Sequence, residues 1–244
     1  MTRNMYDALA AYYDRFMSDV DYDAWINYLK DILGERVRGR DVGCGTGRFT
    51  IALKEAGYLV TGSDSSPEML TVAAENARKK GVPVNFLLQP AEKLEDFSPL
   101  DFVIAQCDVV NYLKNPDTFF KKAYKALNAS GVLTFDISSE YKLTEILGNN
   151  VFTETRDDVT YVWENFCYEK ARRVDMRLTF FRKNENNYYS KSVETQTQYI
   201  HSSSDIEKRL RDAGFKNVQT RGFLKNVAPS EKEQRIHFIA YKQE

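Results

Sequence analysis

Residues 40–50 read RDVGCGTGRFT, and the fold turns on this stretch. Gly43, Gly45 and Gly47 stand at alternate positions, with an acid, Asp41, just before them. The residues that follow, RFTIALKEAG, read as a helix closed by Gly57. Glycine between a strand and a helix lets the backbone approach a ligand and adopt turn conformations closed to other residues. The helix start behind it offers unpaired N–H groups. Ligands of nucleotide type bind open parallel sheets at the carboxyl ends of the strands, where this junction falls.

The spacing narrows the ligand. A dinucleotide fingerprint is G-x-G-x-x-G; counted from Gly43, its third glycine would be residue 48, which is arginine. Asp64 ends the next strand, about twenty residues on, where a carboxylate can accept both hydroxyls of a ribose. A tight glycine turn followed by an acidic strand end fits adenosine without a pyrophosphate, a description that suits S-adenosylmethionine.

Outward from the turn, strand and helix signals alternate. YLVTGSD (58–64) reads as a strand and SSPEMLTVAAENARKKG (65–81) as a helix capped by Ser65, with Pro67 in its first turn, Glu68 completing a capping box and Gly81 ending it. VNFLL (84–88) and DFVIAQ (101–106) are further strands. NPDTFFKKAYKALNASG (115–131) reads as a helix capped by Asn115 with Pro116 at its first position, and GVLTFDI (131–137) as a fifth strand. Strands separated by helices of this length imply right-handed parallel crossovers. From Val151 to Ile200 the pattern changes to successive strands that read as antiparallel, with NENN (184–187) as a turn. SDIEKRLRDAGF, VQTRGF and RIHFIAYK then restore the helix and strand signals. Arg38 and Arg40 make the first strand unusually polar, so it is short or wet on one face. Before it, Tyr6, Leu9, Tyr13, Phe16, Trp25, Ile26, Leu29 and Ile32 recur at helical spacing, divided into two helices by SDVDYD.

The 244 residues, 43% hydrophobic, suffice for one α/β domain with an inserted subdomain. A formal net charge of −1 gives no global bias toward nucleic acid or anionic membrane. No apolar run approaches the roughly 20 residues that span a bilayer, and the N-terminus has no apolar signal core, so the protein reads as cytoplasmic. Cys44, Cys107 and Cys167 are widely spaced and read as reduced, small apolar residues. No metal is expected, since no CxxC pair or neighbouring His accompanies them. His201 and His237 stand alone and read as structural.

DVGCGTGRFT resembles motif I of the class I S-adenosylmethionine-dependent methyltransferases. GSDSSPEML is similar to the family's second motif, and AQCDVVNYL followed by NPDTFFKKAYKALNASGVLTFDI to its segment from strand four to strand five. The resemblance covers Val37 to Ile137. It implies an α/β, doubly wound, seven-stranded Rossmann-like sheet with a small antiparallel β insertion. It also implies S-adenosyl-L-methionine as methyl donor and S-adenosyl-L-homocysteine as product. Carried over, it assigns Asp41, Gly43, Cys44, Gly45, Thr46 and Gly47 to the cofactor turn. Asp64 falls to the ribose, with Ser65 beside it, and Met69 to the adenine. The strand-three motif usually carries an Asp at the adenine amino group; Pro90 stands there instead. Gln89 or Glu92 substitutes, or the backbone N–H of Ala91 serves. The N-terminal YDALAAYYDRFM, the insertion with YVWENF and the ending RIHF look like a narrower group, the glycine- and aminosugar-N-methyltransferase-like enzymes. That likeness implies a helical lid over residues 1–33, a cofactor core over 34–148 and 201–244, and an insertion over 149–200 that covers the substrate and helps form a homodimer. Gln196 stands where relatives often have His.

In-line methyl transfer needs little covalent help, so orientation and a dry site should supply the acceleration. Cys107, Asp108, Asn111 and Tyr112 follow strand four and should border the methyl. Asp108 accepts a proton or orients an amine, or else caps the following turn. Tyr112 and Tyr13 are further candidates for polarising the acceptor, Tyr13 also closing over the cofactor, and Arg48 or Arg15 would pair with the methionyl carboxylate. Lid and insertion aromatics (Tyr6, Tyr12, Tyr13, Tyr161, Trp163, Tyr188, Tyr189) suit closure, or are ordinary core and sheet residues. The expected function is methyl transfer to N or O of a small molecule. The alternatives are a cofactor-binding assembly or regulatory protein without turnover, and an RNA methyltransferase using the basic run 170–183, which on a strand is usually a solvated face.

Overall fold

The structure, a computed structural model, describes residues 10, 12–156 and 158–243. Tyr6 and Leu9 of the expected first helix lie outside the described residues. A single turn, α1 (Tyr13–Phe16), precedes α2 (Tyr22–Leu33). Asp21 caps α2 by accepting the Ala24 N–H at 2.9 Å. Trp25, Leu29, Ile32 and Leu33 recur every three or four residues, so they share one face, and that face is buried.

Next come β1 (Arg38–Val42), α3 (Arg48–Glu55), β2 (Leu59–Asp64), α4 (Pro67–Lys80), β3 (Phe86–Leu88), β4 (Leu100–Ala105), α5 (Asp117–Ala126) and β5 (Leu127–Ser138). A π-helix, Lys142–Leu147, leads into β6 (Val151–Arg156), β7 (Val159–Tyr168), β8 (Arg173–Lys183) and β9 (Tyr189–Tyr199). The chain closes with α6 (Ser203–Ala213), β10 (Asn217–Gly222) and β11 (Arg235–Tyr241).

The main sheet has seven strands in the order β10-β11-β5-β4-β1-β2-β3. Pairs from β5 to β3 are parallel, while β11 runs antiparallel to both β5 and β10. This is the doubly wound Rossmann-like sheet expected from sequence, with a reversed strand near one edge. Along β4 the side chains alternate: Phe102 and Ile104 pack with α2 and α3, Val103 and Ala105 with α5 and α6. The chain lays β2 and β3 on one side of β1 and returns to place β4 on the other. Strand order therefore reverses between β1 and β4, and a crevice opens at their carboxyl ends.

Three local expectations change. The cap of α4 is Ser66, whose Oγ accepts the Met69 N–H at 3.1 Å, not Ser65. Pro67 is the cause: it holds the residue before it extended, the conformation of an N-cap. Asn115 accepts the Asp117 N–H at 3.0 Å, but α5 stops at Ala126 and β5 begins at once. Lys242 Nζ donates to the carbonyls of Tyr124 and Leu127 and satisfies that abrupt helix end. Strand β1 is polar yet not wet at Arg40, which is 3% exposed. Its guanidinium bonds Gln89 Oε1 at 2.9 Å and Asp96 Oδ2 at 2.7 Å, and Arg38 shares the Asp96 carboxylate.

The insertion is a four-stranded antiparallel sheet, β6-β7-β8-β9. Asn184 Oδ1 accepts the Asn186 and Tyr188 N–H groups and closes the β8–β9 turn. Val174, Met176, Leu178 and Phe180 of β8 pack with Leu143 and Leu147 of the π-helix and with Phe16 of α1. Opposite them in register, β9 places Gln198, Gln196, Glu194 and Ser192, all buried. Among the described residues, no helix is long and apolar enough to cross a membrane.

Candidate functional site

Strand β1 hands over to α3 through the glycine turn. Gly43 has φ +67°, and a Cβ there would meet Val109 Cγ2 at 2.5 Å, so only glycine fits. Asp64, at the end of β2, reaches across the turn. One carboxylate oxygen accepts the Gly45 N–H at 2.8 Å and the other the Ser66 N–H at 2.9 Å. Burial pushes its carboxyl above the usual range, against the pull of those N–H donors.

A cleft of about 320 Å³ opens above the turn. Its floor is Gly43 and Gly45; one wall carries Asp64, Ser65 and Met69, and the next Pro90, Ala91 and Glu92. The far end is formed by Tyr13, Cys107, Asp108 and Tyr112. Thus residues from four loops and α1, read separately in the sequence, line one cavity. Gln89, one of the expected substitutes at the adenine, also lines it; Gln106, Val109 and Leu113 line it too and were missed.

The remaining turn residues stand behind the cleft. Cys44 is buried, and its Sγ lies 2.9 Å from where a Cβ on Gly62 would sit. Gly47 starts α3 with φ +82°. Thr46 Oγ1 donates to Asp14 Oδ1 at 2.7 Å, and Asn76 Nδ2 to Asp14 Oδ2 at 2.9 Å, so α1 is tied to the turn through Asp14. Arg48 is engaged by the same acid at 3.4 Å and lies over the Tyr22 ring at 4.3 Å. Arg15 pairs with Asp158 at 3.0 Å. Neither arginine is among the residues lining the cleft.

Asp41 is 1% exposed and accepts from Thr50 Oγ1. Burial pushes its carboxyl up to about 7, against that hydrogen bond, with Asp64 adding to the rise. A carboxyl raised on folding contributes stability that is full below its unfolded value and is lost as pH rises through about 7. Asp41→Asn should therefore gain on the native protein as pH rises from about 5 to about 8, read as the difference in urea midpoints. A difference independent of pH would contradict this placement of the charge.

The far end is polar and buried. Cys107 and Asp108 both have left-handed backbones, φ +63° and +54°, conformations that cost on the order of 1–3 kcal/mol each for residues other than glycine. Asp108 does not cap the turn it begins. Its Oδ2 accepts from Ser138 Oγ at 3.0 Å and Gln198 Nε2 at 2.8 Å, and Arg235 Nη1 lies 3.6 Å from Oδ1. Burial works to raise the Asp108 carboxyl, but Arg235 and Lys142 outweigh it and hold the group below its usual range, hence ionised. Burial and the nearby Arg235 charge push the Lys142 ammonium down. Tyr112 Oη donates to Gln196 Oε1 at 3.0 Å. Burial raises the Tyr13 phenol well above its ordinary value, with neighbouring groups including Cys107 adding to it, so it stays a neutral donor.

Of the expected cover, Tyr12, Tyr161 and Trp163 pack against the insertion's core, joined there by Phe16, which lies edge-on to Tyr161 at 4.6 Å. Tyr188 and Tyr189 are exposed beside the hairpin turn and are not among the residues lining the cleft. His201 bonds the Leu113 carbonyl and His237 bonds Thr134 Oγ1; burial pushes His237 down to about 3, and both are structural. Besides Asp14 and Gln198, sequence reasoning missed Asp136, Lys142 and Arg235. One signal was present: Asp136 is an acid inside an apolar strand, where an unpartnered charge does not belong.

A family model described as a methyltransferase domain matches residues 40–131. A protein of Geobacillus sp. (strain WCH70) named a "putative methyltransferase" is 32% identical over 245 residues, covering 97% of this chain and 99% of the relative. The crystal structure of a S-adenosylmethionine-dependent methyltransferase from Clostridium acetobutylicum ATCC 824 superposes with a TM-score of 0.87 at 28% identity, covering 98% of this chain and 99% of that one. The sugar N-methyltransferase KedS8 from Streptoalloteichus sp ATCC 53650 superposes with a TM-score of 0.79 over 100% of this chain and 98% of its own; at 17% identity this is a likeness of fold.

Proposed function

Because the chain belongs to the S-adenosylmethionine-dependent methyltransferases, we propose that it methylates nitrogen or oxygen of a small polar molecule and releases S-adenosylhomocysteine. The observation that carries the choice of acceptor is the buried glutamine pair on β9. Gln196 holds Tyr112 and Gln198 holds Asp108, and each keeps one buried amide atom, Nε2 and Oε1 respectively, without a hydrogen-bond partner. A buried polar atom left unpaired is costly. Both glutamines are bound to cleft-lining residues, Tyr112 and Asp108, and an acceptor that reached past those two with both a donor and an acceptor group would satisfy the unpaired atoms, whereas an apolar one would strand them. A sugar nitrogen, the target named for KedS8, has that chemistry.

The residues present fit the cofactor. Gly43 and Gly45 give a floor with no side chains, Asp64 supplies a buried carboxylate for the ribose, Met69 an apolar surface for the adenine, and Ala91 an N–H at the strand-three wall. When bound, S-adenosylmethionine supplies a methyl group activated on a sulfonium sulfur. Asp108, kept ionised, accepts a hydrogen bond or proton from the N–H or O–H of the acceptor. Tyr13 donates from the same end, while Tyr112, whose proton goes to Gln196, offers the acceptor its hydroxyl oxygen. In this reading α1 forms the described part of the lid, 149–200 cover the acceptor, and 34–148 with 201–244 hold the cofactor. α2, within the expected lid, packs into the core instead.

The test is incubation with methyl-labelled S-adenosylmethionine and a small-molecule cell extract. Label should pass to a polar small molecule as S-adenosylhomocysteine accumulates. Absence of both would favour a binding protein without turnover; label in RNA, with salt-sensitive RNA affinity, would favour a nucleic-acid substrate.

A further inference from the structure

Consecutive left-handed residues at Cys107 and Asp108 need something to hold them, and the Asp108 side chain does not serve its own turn. The holding group is Asp136, fully buried near the carboxyl end of β5. One of its oxygens accepts the Cys107 N–H at 2.8 Å and the other the Asp108 N–H at 3.0 Å. Successive N–H groups in such a turn form a concavity suited to an anion, and here the anion is built into the neighbouring strand. Arg235 bonds the same carboxylate and stands 3.6 Å from Asp108, while its guanidinium lies over Trp25 at 5.2 Å and Phe223 at 5.6 Å. Both acids are thus referred to one fixed cation.

We propose that Asp136 is the positioning residue of the site: its two oxygens lock the Cys107–Asp108 turn and so fix the Asp108 carboxylate at the far end of the cleft. The proposal rests on the reading above for what Asp108 does, and on geometry alone for how it is held. A misplacement of about 1 Å in such a group can slow a reaction roughly 100-fold without loss of binding.

The test is Asp136→Asn in the full chain. The amide keeps the volume but has one accepting oxygen, and its NH₂ faces an N–H donor. Alkylation of Cys107 by iodoacetamide, read by peptide mass spectrometry, should accelerate about tenfold as the turn opens, while Cys44 and Cys167 react as in the native protein. Transfer of label to the extract should fall about 100-fold, with S-adenosylmethionine affinity within about threefold. A second substitution, Cys107→Gly in the Asp136→Asn chain, should recover much of any lost melting temperature, because glycine holds this conformation unaided. Cys107 labelling at the native rate in Asp136→Asn, or no recovery by Cys107→Gly, would overturn the proposal. That includes the case in which neither chain folds. If the native protein transfers no label, the functional reading falls, while labelling and recovery still decide the role of Asp136.

Discussion

Asp64→Ala is expected to weaken S-adenosylmethionine binding more than about tenfold, over about 1.4 kcal/mol. The carboxylate has two tasks that alanine abolishes. It lines the cleft, where the proposed reading places the ribose, and it straps the glycine turn to α4 through the Gly45 and Ser66 N–H groups. Losing it leaves two buried donors unsatisfied and the floor free to shift. Asp64→Asn, which keeps one accepting oxygen, should fall between. Burial raises the Asp64 carboxyl, so affinity should also decline as pH falls, starting at a higher pH than for a free carboxylate. Calorimetry giving equal affinity for Asp64→Ala and the native chain would count against the cofactor assignment.

Asp108→Ala should act on the other half of the reaction. Transfer is expected to drop by about 10²–10⁴, the range for a positioned acid–base group, with cofactor affinity within about threefold. Asp108 is the cleft-lining acid held ionised beside Arg235 and Lys142 and oriented by Ser138 and Gln198. Alanine also strands Gln198 and uncovers Arg235, so Asp108→Asn, which keeps the shape, is the companion measurement. It should retain affinity and still lose most of the rate. Full rate in both variants would remove Asp108 from the chemistry.

The features legible in the sequence are local ones. The glycine turn, the acid ending β2 and the change from βα alternation to successive strands are written in neighbouring residues, and the structure places each as expected. Even the misplaced cap of α4 is a local matter, since Pro67 decides it. What escaped is joined over long separations. Arg235 and Asp136 are 99 positions apart, Gln198 and Asp108 are 90 apart, and Arg40 meets Asp96 only because β1 lies beside β4. Periodicity reports which face a residue occupies, not which distant charge it meets there. Arg48 shows the converse: its place next to the motif invites a ligand role, but Asp14 and Tyr22 engage it.

The most direct measurement is a crystal structure of the protein grown with S-adenosylmethionine. The predicted result is an adenosyl group in the cleft above Gly43 and Gly45, with its ribose hydroxyls on the Asp64 carboxylate. A cleft left empty at saturating cofactor, or one that takes a two-phosphate nucleotide in its place, would contradict it.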